Sequence, residues 1–209
     1  MEFILPPIYP ITDKKLARKA THLAILKELI RGGARLVQVR DKDTPIGELL
    51  QDLRHCLECA RKNNVTLIVN DRCDLVLSCH AMGVHLGQED IPPAAARAIL
   101  ERNQIIGFST HSLAQVREAG NMPIQYVGFG PVYGTSTKAN ASPTVGLRLL
   151  RHACRVSTVP VVAIGGIGFD QIRPALDAGA ASAAVISSLM AARDLARQME
   201  RFLKSATER

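Results

Sequence analysis

Apolar residues come in eight short runs along the chain, rich in Val and Ile and hardly broken by polar positions. They fall near 7–12 (PIYPIT), 35–40 (RLVQVR), 66–70 (TLIVN), 82–86 (MGVHL), 105–109 (IIGFS), 125–130 (QYVGFG), 159–165 (VPVVAIG) and 183–187 (AAVIS). A strand with one wet face alternates in polarity, so these unbroken runs predict parallel strands covered on both faces. Between them lie stretches such as KKLARKATHLAILKELI and IGELLQDLRHCLECARK, whose apolar positions recur at three and four, as in amphipathic helices. Thr44–Pro45 reads as a cap and first helical residue, and Gly32–Gly33 as a helix stop. The short spacing after the third run predicts a brief helix there.

Eight βα units in 209 residues predict a (β/α)8 TIM barrel. We expect one domain over residues 1–209, with its core at about 8–190 and a last amphipathic helix at about 188–205. A doubly wound open sheet is the runner-up, because periodicity does not show closure.

In such barrels chemistry sits at the carboxyl ends of the strands. Just past the predicted strands the chain places Asp13, then Gln38, Arg40 and Lys42, then Asn70 and Asp71. Gln88 and Asp90 follow, then Ser109 and His111, the loop GPVYGTSTKANAS, Gly165–Gly166, and Ser187. The opposite ends carry ordinary entry residues such as Gly33, Asn64 and Pro160. That asymmetry points to a site at one end.

Two parts of it suit anions. AIGGIGFDQI and VISSLM put glycines and Ser187–Ser188 between a strand and a helix, where exposed N–H groups bind phosphate; a plain tight turn is the alternative. Arg40 and Lys42 alternate in strand register with Gln38, so all three can face one side. The alternative is a solvated cluster paired with Asp41 and Asp43. TSTK adds hydroxyls and Lys138 on a loop suited to closing over bound anions.

Asp71 and Asp90 each precede a helical stretch and so read as caps, the more so because prolines follow Asp90. Neighbouring strands also bring them into one pocket. Two carboxylates at about 4 Å repel by roughly 4 kcal/mol at an effective dielectric near 20. Mg2+ reverses that sign, taking one or two carboxylates plus substrate phosphate oxygens. Capping and metal binding are compatible. His85 reads as a structural hydrogen-bonder and His111 as a helix cap or an acid–base group, while His22, His55, His80 and His152 are given no role.

Composition narrows the partners. A net charge of +7 favours anionic ligands, whereas 4% aromatic residues and no Trp argue against stacking on nucleic acid. No apolar run reaches the roughly 20 residues of a membrane helix, and MEFILPP is too short for a secretory core. Five cysteines without a scaffold spacing, Cys56 and Cys59 among them, read as reduced thiols packed as small hydrophobes. We therefore expect a cytoplasmic protein that engages small molecules, neither nucleic acid nor membrane. A homo-oligomer is compatible with the sequence.

YPITD, VQVRDKD, LIVNDRCDL, GVHLGQEDIP, IIGFSTHS, YVGFGPVYGTSTK and PVVAIGGI together resemble the thiamine phosphate synthase family, in order and spacing, from about residue 8 to 190. The combination of NDR, GQED and TxTK carries the resemblance. It implies a TIM-barrel transferase in which hydroxymethylpyrimidine pyrophosphate loses pyrophosphate and the nitrogen of a thiazole phosphate takes the freed methylene, with Mg2+ required. Under it, Gln38, Arg40, Lys42, Asn70, Ser109 and Lys138 hold the pyrimidine pyrophosphate, with Arg40, Lys42, Ser109 and Lys138 acting in catalysis. Asp71 and Asp90 ligate Mg2+, and Thr135, Ser136, Thr137, Gly166, Ile186 and Ser187 hold the thiazole phosphate. Gly134 stands where the family commonly has proline, Ser182 where it has glycine, and IGFD where Asn-Pro is usual. The nearest rival is a thiazole tautomerase of similar fold, which would rely on His111 and not need Arg40, Lys42, Asp71 and Asp90 together. A nucleic-acid-binding regulator fits less well, since the cations cluster at strand ends.

Overall fold

The computed structural model describes residues 3–135 and 143–207. Eight strands, β1 (Ile8–Pro10), β2 (Leu36–Val39), β3 (Thr66–Asn70), β4 (Gly83–Leu86), β5 (Ile105–Thr110), β6 (Tyr126–Phe129), β7 (Val161–Ala163) and β8 (Ser182–Val185), pair in parallel. Their order is β1-β8-β7-β6-β5-β4-β3-β2. The ring closes between its two ends through a bridge of Ile11 with Gln38, where the Thr12 N–H donates to the Gln38 carbonyl at 2.9 Å. The barrel is therefore the correct architecture, and the open sheet is not.

The helices are α1 (Lys14–Ala17), α2 (His22–Arg31), α3 (Ile46–Lys62), α4 (Cys73–Cys79) and α5 (Pro93–Ile99), then α6 (Leu113–Ala119), α7 (Gly146–Val156), α8 (Phe169–Asp177), α9 (Ser187–Met190) and α10 (Leu195–Thr207). As expected, α2 stops at Gly32 and the helix after β3 is brief, at seven residues. Three expectations need correcting. Thr44 does not cap α3: its hydroxyl donates to Asp41, and Pro45 precedes the first helical residue, Ile46. The single helix at about 188–205 is two, because the Asp194 carboxylate accepts the Arg197 N–H at 3.0 Å and caps a new start after α9. The β2 strand ends at Val39, so Arg40 and Lys42 lie beyond it rather than in its register.

The unbroken apolar runs have a direct cause. One core lies between the sheet and the helices, and a second fills the barrel with Tyr9, Leu36, Ile68, Ile105, Tyr126, Val162 and Ala184. Strand residues facing either way are thus buried. Gly107 makes room inside: a Cβ there would overlap the Tyr126 ring, so only glycine lets that tyrosine lie across the barrel. All five cysteines are free thiols, with Cys56, Cys73 and Cys79 buried. Among the described residues no helix is long and apolar enough to cross a membrane.

Candidate active site

Strand twist and tilt bring the ends of β2 to β5 around one cavity, whose wall includes Gln38, Arg40, Asn70, Asp71, His85 and Ser109. Ile164, Ala184 and Ile186 complete it from the β7–β8 side. Of the residues singled out at the strand ends, Gln38, Arg40, Asn70, Asp71 and Ser109 thus converge on the cavity wall.

On the β2 side the segment carrying Arg40 and Lys42 is held from below. Thr12 accepts the Arg40 N–H at 3.2 Å and bonds His22 Nδ1 at 2.8 Å, while His22 Nε2 meets Asp41 at 2.9 Å. Asp41 also takes the Lys14 ammonium at 2.9 Å and the Thr44 N–H at 2.9 Å. Burial alone would push the Asp41 carboxyl up, yet these donors outweigh it and hold the carboxyl well below the usual range. Burial also pushes the His22 imidazole down, against the pull of Asp41. The alternative of a cluster in which Arg40 and Lys42 pair with Asp41 and Asp43 is not what forms, because Lys14 and Lys15 occupy those carboxylates. Lys42 instead reaches across to Asp71, with Nζ 3.3 Å from Oδ2.

Neither acidic residue caps a helix. Asp71 sits at φ 64°, its N–H donating to the His85 carbonyl at 2.8 Å, and α4 begins beyond Arg72. That bond ties the turn after β3 to β4 and aims the Asp71 carboxylate over the barrel mouth. The Asp90 carboxylate folds back to accept the Gly87 N–H at 2.6 Å, and Pro92 precedes α5 without a side-chain bond. Burial raises the Asp90 carboxyl, and the facing Asp71 charge raises it further, against the Gly87 N–H and Lys42. Two mutually repelling carboxylates offer hard oxygen donors suited to Mg2+. Among the described residues no group of three or more His, Cys, Asp or Glu side chains gathers to hold a metal. A two-carboxylate set fits an ion that keeps water and substrate oxygens in its shell.

The floor of the cavity is polar. Gln38 donates to the Tyr9 hydroxyl at 3.0 Å, Tyr9 and Tyr126 meet at 2.8 Å, and His85 bridges Tyr126 (3.0 Å) to Ser109 (2.9 Å). His85 is a structural hydrogen-bonder, as expected. Ser109 lies within β5 and caps nothing. His111 caps nothing either: Ser112 caps α6, and His111 Nδ1 lies 2.6 Å from the Gly130 carbonyl. Asp13 is a plain cap of α1. Sequence reasoning missed the roles of Tyr9, Tyr126, His22 and Asp41, since their partners come from distant strands and helices.

Across the cavity, Gly166 has φ 64° and Gly165 φ 96°. A Cβ on Gly166 would overlap the Gly134 carbonyl and the Tyr133 side chain, so glycine is required there by space as well as by backbone. The Val132 and Tyr133 N–H groups bond the Ile164 and Gly165 carbonyls at 2.8 and 3.0 Å, docking the segment before Thr135 against the end of β7. Ser188 donates to the Ile167 carbonyl at 2.8 Å, joining the β8 end to the same turn. Gly166, Ile186 and Ser187 therefore share one corner of the barrel mouth. Ser136, Thr137 and Lys138 lie outside the described residues.

Residues 8–189 match the thiamine monophosphate synthase family. The thiamine-phosphate synthase of Methanospirillum hungatei is 40% identical over 195 residues, covering 93% of this chain and 95% of that protein. That of Chloroflexus aurantiacus is 38% identical over 204 residues, covering 96% and 94%. The solved thiamine phosphate pyrophosphorylase from Pyrococcus furiosus superposes with a TM-score of 0.87 at 34% identity, covering 96% of this chain and 95% of that one. With the barrel and the converging strand ends, these likenesses carry one conclusion: the chain belongs to the thiamine monophosphate synthase family.

Proposed function

We propose that this protein joins hydroxymethylpyrimidine pyrophosphate to a thiazole phosphate, giving thiamine phosphate and pyrophosphate. The observation that carries the reading is the cluster of Arg40, Lys42, Asp71 and Asp90 at one rim of the cavity, with Lys42 3.3 Å from Asp71. Such a mixed-charge rim suits a pyrophosphate better than a neutral ligand.

In this reading Gln38, Asn70 and Ser109 hold the pyrimidine, while Arg40, Lys42 and Lys138 contact its pyrophosphate. These cations stabilise the departing pyrophosphate more than the ground state, because its charge grows as the bond breaks. Mg2+ held by Asp71 and Asp90 would add charge neutralisation at the same oxygens. The aminopyrimidine supports positive charge on its methylene, so departure needs no protein nucleophile. Thr135, Ser136, Thr137, Gly166, Ile186 and Ser187 hold the thiazole phosphate so that its nitrogen faces that methylene. Small-molecule partners follow from this chemistry, and a cytoplasmic location is part of the same proposal.

The test is a coupling assay with both substrates and Mg2+, following thiamine phosphate and released pyrophosphate. Absence of product across pH and metal conditions overturns the reading. Loss of proton exchange in a thiazole tautomer assay on His111→Ala, with the acidic residues intact, would instead support the tautomerase.

A further inference from the structure

We propose that Gln38, Tyr9, Tyr126, His85 and Ser109 form one polarised hydrogen-bond chain that makes Gln38 an acceptor and Ser109 a donor toward the ligand, selecting an aminopyrimidine over its oxo counterpart. The proposal deepens the function above and rests on it for the ligand's identity.

The chain runs across the inside of the barrel from β2 to β5. Its links are Gln38 Nε2 to Tyr9 Oη at 3.0 Å, Tyr9 to Tyr126 at 2.8 Å, Tyr126 to His85 Nδ1 at 3.0 Å, and His85 Nε2 to Ser109 Oγ at 2.9 Å. Both tyrosines are essentially sealed from solvent, at 1% and 0% exposure, and Gln38 is at 2%. Water cannot supply a missing partner at that depth, so each proton must be placed by its neighbours.

Placement then follows link by link. The Gln38 amide donates to Tyr9, so the one tyrosine proton of Tyr9 has Tyr126 as its acceptor. The Tyr126 proton goes to His85 Nδ1. The imidazole is therefore neutral, carries its proton on Nε2, and donates it to Ser109 Oγ. This leaves the Ser109 hydroxyl proton for the cavity and the Gln38 carbonyl oxygen as an acceptor; both residues line it. A doubly protonated His85 would leave a buried tyrosine hydroxyl without an acceptor, which costs its full desolvation. The His85 and Tyr126 rings stack with centroids 5.5 Å apart, and Gly107 gives the Tyr126 ring its room, so the relay is also sterically held.

An aminopyrimidine presents an N–H donor on its exocyclic nitrogen and lone-pair acceptors on its ring nitrogens. That pattern complements an acceptor at Gln38 and a donor at Ser109. The oxo counterpart has a carbonyl where the amino group was and sets acceptor against acceptor. A site built to hydrogen-bond one pattern rejects the other because buried groups are left unpaired. Tyr9, Tyr126 and His85 are positioning residues here, acting through Gln38 and Ser109.

Histidine-selective 15N NMR on the free wild-type protein reads the relay without any variant. We expect His85 as the Nε2–H tautomer. An Nδ1–H tautomer or a doubly protonated ring overturns the proposal. In coupling assays with the aminopyrimidine pyrophosphate and its 4-oxo analogue, Tyr9→Phe and Tyr126→Phe should each lower the amino-to-oxo ratio of kcat/KM by about tenfold or more. An unchanged ratio in both variants, folded by circular dichroism, also overturns it. If the wild type couples neither pyrimidine, the function falls and takes the selectivity with it, while the NMR result still decides the polarity of the chain.

Discussion

Lys42 reaches over the barrel mouth to place its ammonium 3.3 Å from the Asp71 carboxylate, linking the end of β2 to the end of β3. The lysine partly neutralises a pair of acidic groups that otherwise repel. Under the proposed function it would compete with a cation for Asp71 while contacting the pyrophosphate. Lys42→Met should bind Mg2+ more tightly and turn over about 100-fold more slowly. Calorimetric Mg2+ titration beside the coupling assay checks both halves, and looser Mg2+ binding in the variant contradicts the competition.

Asp71→Asn and Asp90→Asn remove one charge each while leaving a side-chain acceptor for the Gly87 N–H at position 90. Each should raise the Mg2+ concentration needed for half-maximal activity by about 10- to 100-fold. Full activity of both variants at unchanged Mg2+ rules the metal assignment out.

The buried His22 produces a pH effect on stability. Its folded-state pKa is lowered by burial, so below the unfolded value of about 6.5 the unfolded chain binds more protons than the folded one. Stability should therefore fall as pH drops below about 6.5, levelling once the folded imidazole also protonates. Asp41 adds no slope in that window: its carboxyl is held down, so its contribution is intact above the usual carboxylate range and lost only as pH falls through the lower folded value. Urea denaturation of wild type and His22→Gln from about pH 7 to 5 should show a shallower slope in the variant.

Gly166→Ala forces a side chain into space taken by Tyr133 and the Gly134 carbonyl, at a backbone angle that disfavours it. KM for the thiazole phosphate should rise at least about tenfold, with the KM for the pyrimidine pyrophosphate little changed. Equal effects on both substrates would argue against a separate thiazole corner.

Ser182 is fully buried in β8 with an Oγ that has no hydrogen-bond partner among the described residues. Ser182→Ala deletes that unpaired group and should stabilise the protein by about 1 kcal/mol without changing turnover. Thermal melts and the coupling assay measure the two.

Much of the fold was legible because its causes are local. Strands buried on both faces must be apolar throughout, and helices packed on one side must repeat at three and four. The pile-up of Gln38, Arg40, Asn70, Asp71, Asp90 and Ser109 at strand ends followed from the same segmentation. Helix starts were less legible. Asp71, Asp90 and Thr44 all have the chemistry of caps, and each side chain is drawn off by another partner: the Lys42 ammonium, the Gly87 N–H and the Asp41 carboxylate.

By itself the sequence determined the alternation of strands and helices, the end of the barrel where polar groups collect, and the family motifs. Tertiary structure alone decided that the ring closes through Ile11 and Gln38, that Lys42 faces Asp71 rather than its neighbours, and that two tyrosines and a histidine connect Gln38 to Ser109. The physical reason is range. Periodicity and capping chemistry act over a few residues of chain, whereas a buried polar group is satisfied by whichever partner closure brings near. Tyr9 and Tyr126, 117 positions apart, share a hydrogen bond only because the barrel wraps them around one interior.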